Sequence, residues 1–142
     1  MLSQNKADRL LFMPKRFERM NTLLIEPGCR IERSLVAVDP KEKFMFDIRR
    51  SSYSLKKITT QNRVRGAIVL ARLCYKSSPH TNPDGKRIDG THLHLYREGW
   101  DDKWAKPLDS KYFTGTNEHA TLLEEFCNFC KIEGLPVIQG SM

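Results

Sequence analysis

No stretch of this chain is apolar for long enough to cross a membrane. A spanning helix needs about 20 consecutive apolar residues, and Leu10, Leu11 and Phe12 are flanked by charge within a few positions. Cysteine is sparse. Cys29, Cys74, Cys127 and Cys130 do not make the dense framework of a small secreted domain, and no leader peptide is expected. The expected location is therefore the cytoplasm, with reduced thiols and no membrane partner. Internal repeats and low-complexity segments are absent, as are a glycine-rich phosphate loop, a nucleophile elbow and a zinc-protease helix. With 39% hydrophobic and 29% charged residues over 142 positions, the composition is that of one globular domain spanning 1–142.

Acidic residues are missing from one central stretch. Between Arg49 and Lys76 stand eight basic residues and no acidic one: Arg49, Arg50, Lys56, Lys57, Arg63, Arg65, Arg72 and Lys76. The rest of the chain is close to balanced, so this segment supplies the whole net charge of +7. A local basic stripe is the footprint of a polyanion site. A solvated sheet face that only maintains solubility would leave the same cluster. Lys56, Lys57, Arg63 and Arg72, with His80 and Tyr96, are the candidate nucleic-acid contacts.

The pattern predicts a helix from Gln4 to Phe12, capped by Ser3 and stopped by Pro14. Strands follow at Ile31–Val38, Lys43–Arg49, Tyr53–Thr59, Val64–Tyr75, Thr91–Arg97 and Lys103–Lys106. Asn82-Pro83-Asp84-Gly85 has turn chemistry inside a longer loop, 77–90. A closing helix is expected from Asn117 to Ile132, ended by Gly134 and Pro136. The expected fold is α+β: an antiparallel sheet of five or six strands with an N-terminal and a C-terminal helix packed on one face. Cys127 and Cys130 form a CxxC, but Leu123, Phe126, Cys127 and Cys130 fall on one helical stripe, which reads as core packing.

The segment from Thr91 to Arg97 carries the densest chemistry. Period two places Leu93 and Leu95 on one face and His92, His94 and Tyr96 on the other. Two imidazoles about 7 Å apart on a strand suit acid–base work near neutral pH. Metal-independent ribose-phosphate cleavage needs a base, an acid and a cation. His92, His94 and Arg97, with Arg65 or Arg72, could supply these. Ordinary polar decoration of a half-exposed sheet face would look the same. Three histidines with Asp84 or Asp89 also have the chemistry of a zinc site, but the spacing matches no strong signature. No cofactor and no metal are expected. Tyr53, Tyr75, Tyr96, Trp100 and Trp104 could stack on bases or simply pack.

Taken together, Ala7–Leu11 with Met13-Pro14-Lys15, Gln61-Asn62-Arg63, Pro79–Gly85, His92–Gly99 and Asp102–Leu108 resemble a small family of bacteria and their phages. That family is catalogued only as a domain of unknown function. The likeness runs nearly end to end, with a departure at Leu73–Ser78. The resemblance implies a part in genetic conflict. The first expectation is an endoribonuclease of the toxin kind acting on RNA, with an antitoxin protein as partner. The alternative is a non-enzymatic interaction protein, an anti-defence inhibitor such as an anti-CRISPR or a regulator, that binds a host nucleoprotein complex.

Overall fold

The computed structural model describes residues 1–54 and 56–141. Helix α1 covers Gln4–Leu11; the Ser3 hydroxyl caps it by accepting from the Lys6 amide, and it buries Ala7, Leu10 and Leu11. Strands follow: β1 (Lys15–Phe17), β2 (Leu23–Leu24), β3 (Arg30–Ala37), β4 (Phe44–Arg50), β5 (Ile58–Val64), β6 (Ile68–Tyr75), β7 (His80–Thr81), β8 (Arg87–Ile88), β9 (His92–Leu95) and β10 (Ala105–Pro107). Helix α2 (His119–Phe129) precedes two short strands, β11 (Ile132–Glu133) and β12 (Ile138–Gln139).

The main sheet has eight strands in the order β10-β9-β6-β5-β4-β3-β1-β11. The α+β class and the mostly antiparallel pairing agree with the sequence reading; the count of five or six strands does not. The extra strands are β1 and β11, which pair in parallel at one edge. Each is too short to display a period of two. The expected strands around 53–75 are also redrawn. The hairpin joining β5 to β6 turns at positive-φ residues Arg65 and Gly66, inside the expected strand Val64–Tyr75, and β5 runs on from Thr59 to Val64, where the expected strand Tyr53–Thr59 had ended. Residue 55, inside the expected strand Tyr53–Thr59, lies outside the described residues.

One face of the sheet and both helices enclose a single core. Phe44, Phe46 and Ile48 of β4 meet Ile58 and Val64 of β5, Leu73 and Tyr75 of β6, and Leu93 of β9. From above come Leu10 and Leu11 of α1, and Leu122, Leu123 and Phe126 of α2. Cys127 and Cys130 share this stripe and are unpaired thiols. Burial pushes both thiols up, Cys130 to about 12, so they are inert at neutral pH.

The opposite face of the sheet carries no helix. Register alone decides what stands there. One row reads Arg30, Arg49, Thr59, Cys74, His92 and Pro107 across six paired strands. The adjacent row reads Glu32, Asp47, Gln61, Arg72, His94 and Ala105. The separate two-stranded ribbon of β7 and β8 covers the β9 end of these rows.

Candidate functional site

The histidine end is built by β6, β9 and that ribbon. Its turn is the Asn82–Gly85 segment: the Gly85 amide donates to the Asn82 carbonyl at 2.8 Å, and Gly85 takes φ +87°. Asn82 is buried and acts as a strut. Its amide donates to the Ala105 carbonyl (2.9 Å) and its side-chain oxygen accepts from the Ala105 N–H (2.8 Å). The ribbon is thereby fixed beside β10, and His80 is held over the strand histidines. Its ring centroid is 4.6 Å from that of His94 and 5.8 Å from that of His92. The His92 and His94 centroids are 5.0 Å apart.

His92 and His94 do share the face opposite Leu93, but that face is covered at this end. They are 2% and 3% exposed. His92 Nδ1 lies 2.8 Å from the Gly90 carbonyl, and His94 Nδ1 2.8 Å from the Asp102 carbonyl. A carbonyl can only accept, so Nδ1 carries the proton in both rings. In the neutral rings, Nε2 holds a lone pair. Both rings are kept neutral at pH 7: burial lowers the pKa of His92, and burial followed by the Arg72 charge lowers His94 to about 4. Cys74 is the cross-strand partner of His92, and the ligand-type atoms of Cys74, His92 and His94 lie within 4.8 Å of one another. Burial raises the Cys74 thiol, against hydrogen bonds and charge from Arg72, Lys57 and Thr59. The sequence reading left Cys74 out. Its only signal was the register: it alternates with Leu73 and Tyr75 and pairs with a residue 18 positions later.

The expected arginines part company. Arg72 stands beside His94 and is ion-paired with Asp102. Arg97 lies on the other side of the sheet end, its guanidinium 4.3 Å from the Trp104 ring, in a cleft shared with Leu93 and Leu95. Period two already put Arg97 with the leucines. Arg65 sits at the β5–β6 turn and clasps Glu42 at 2.7 and 3.1 Å. Tyr96 is not on the histidine face. The strand ends at Leu95, and the phenol turns into the core, 7% exposed, where its hydroxyl donates to the Leu2 carbonyl.

Farther along the open face, the basic run meets acids from other strands. Arg63 is bound by Asp47 at 2.7 and 3.1 Å and lies 3.5 Å from Glu32. Gln61 also donates to Asp47. Clefts of about 310 and 390 Å³ lie in this face; Arg49 and Thr59 line both, and Arg30 and Lys57 line the larger. Arg30 and Arg49 sit directly opposite each other, and neither has an acidic partner among the described residues. Tyr53, 98% exposed, lies on the same rim. Lys56 is exposed and Lys57 half-buried. Sequence reasoning did not single out Arg30, because only the β3–β4 register brings it to Arg49.

A family model matches residues 2–132, nearly the whole described chain. The chain belongs to the family of unknown function DUF6978. No curated protein and no solved structure matches it. Membership therefore brings no activity with it. No described helix is long and apolar enough to cross a membrane.

Proposed function

We propose that this protein binds single-stranded RNA on the open face of its sheet, with phosphates held by Arg30, Arg49 and Lys57 and a base stacked on Tyr53. The observation that carries the reading is the Arg30–Arg49 pair. Like charges placed directly opposite on neighbouring strands destabilise a sheet, and here neither arginine is held in an ion pair among the described residues, the nearby Asp47 and Glu32 being turned to Arg63. A phosphate would turn that repulsion into two charge-assisted hydrogen bonds. The flanking cleft and an almost fully exposed tyrosine complete a surface of the kind that tracks a flexible strand. Arg63, Arg65 and Arg72 take no direct part, being occupied by carboxylates.

Strand cleavage by His92 and His94 is not favoured by this arrangement. Both rings are buried beneath the ribbon and committed through Nδ1 to backbone carbonyls, which supports a structural role over acid–base work on the open face. The role in conflict between bacteria and phages implied by the resemblance fits RNA capture as well as cleavage. The test is binding of a fluorescent oligoribonucleotide. Arg30→Gln with Arg49→Gln should weaken binding about tenfold or more, while Arg65→Gln should leave it nearly unchanged. Equal affinity in all three proteins, or no binding by the wild type, would sink the reading. Cleavage lost on His92→Gln would restore the nuclease.

A further inference from the structure

We propose that Cys74, His92 and His94 bind one divalent transition-metal ion, zinc by the chemistry of the donors. This site is separate from the RNA-binding surface and does not depend on it. Three ligand-type side chains that share one end of the sheet converge to within 4.8 Å of one another. Bonds of about 2.0–2.1 Å to nitrogen and 2.3 Å to sulfur set ligand atoms of a tetrahedral zinc about 3.5 Å apart. Small side-chain rotations close that difference, and the β6–β9 register already fixes the backbone.

The tautomers are set for ligation. Each imidazole spends Nδ1–H on a backbone carbonyl, from Gly90 and Asp102, which leaves the Nε2 lone pair without a hydrogen-bond partner among the described residues. That is the outer-sphere arrangement that orients a histidine toward a metal. A sulfur with two imidazoles suits zinc and does not suit magnesium or calcium, which take oxygen. The one guanidinium close by, that of Arg72, is paired with Asp102 and so does not repel a cation at full strength. His80 covers the cluster, and its Nε2 donates to the Lys103 carbonyl at 2.9 Å. Packing alone explains the burial of these groups. It does not explain why two buried rings and a thiol bring their ligand-type atoms together.

The experiment is a titration of the intact, reduced, metal-stripped protein with cobalt(II), followed by its absorption spectrum, with zinc competition by native mass spectrometry. One equivalent of cobalt should give the visible bands of a tetrahedral ion and a near-ultraviolet sulfur-to-cobalt band, and zinc should displace it. Cys74→Ser should lose the sulfur band, and His94→Gln should weaken uptake at least tenfold. Cys127→Ala with Cys130→Ala should change neither. No stoichiometric uptake by the folded wild type, a sulfur band that survives in Cys74→Ser, or a band that vanishes with the CxxC pair would each overturn the proposal. The wild-type spectrum decides the matter even where a variant does not fold.

Discussion

His119 shows what a buried imidazole does outside the cluster. It opens α2, lies 5.0 Å from the Tyr75 ring and bonds through Nδ1 to the Ser141 hydroxyl at 2.6 Å, while its Nε2 has no partner. Burial, then the Arg50 charge, lowers its pKa to about 4. The unfolded chain binds a proton near 6.5 that the folded one refuses until about 4. Stability contributed by the neutral ring is thus fully present above pH 6.5 and is lost as pH falls toward 4. The loss is roughly 3 kcal/mol for this group, and His92 and His94 add to it in the same direction. Denaturant melts from pH 7 to 4 should show the decline, and His119→Gln should flatten part of it; an unchanged slope would refute the assignment. At this scale the sequence was half legible. Alternation revealed that His92 and His94 share a face, because period two is a property of one strand. It failed at Tyr96, because the strand had already ended and a phenol found an acceptor in the core. It could not reach Cys74, whose place beside His92 is a fact about two strands.

Among the elements, the least legible is β1, and it holds the most unusual side chain. Lys15 is 2% exposed. Its ammonium donates to the Leu11 carbonyl at 2.6 Å and the Cys130 carbonyl at 2.9 Å, so a single cation caps the C-terminal ends of both helices. It also lies 4.8 Å from the Phe44 ring centroid. Burial lowers its pKa to about 8. A polar residue after a proline gave no hint of a strand, because the sequence does not show which backbone groups need a donor. Lys15→Met fills similar space but leaves two helix-end carbonyls buried and unbonded. It should cost about 2–4 kcal/mol in urea melts, even though the charge is no longer desolvated. Because the unfolded lysine titrates near 10.5, wild-type stability should rise relative to the variant as pH climbs from about 8 to 10.5. No cost on substitution would show that the carbonyls find other partners. The helices themselves were legible, since Ser3, Pro14 and the apolar stripes act locally.

For the whole molecule, the acid-free run was legible as composition and misleading as a surface. Asp47, Glu42 and Asp102 come from outside that run and occupy three of its arginines. A continuous positive stripe would give RNA binding with a steep salt dependence. Three free cations, Arg30, Arg49 and Lys57, predict a shallow one, with log affinity falling against log salt at a slope of about −2. A slope near zero, or one several times steeper, would mean that another surface is in use. The parallel pairing at the sheet edge has a consequence of a different kind. Lys15 and Cys130 meet across a separation of 115 residues, and β2 pairs with β12 in the same sense. Closing so long a loop sacrifices chain entropy before any contact offsets it, so this edge joins last. High contact order slows the search, and a ribosome-bound chain cannot complete its main sheet until β11 has emerged, nor the separate β2–β12 pair until β12 has. Until then both helices lack the lysine that ties them together.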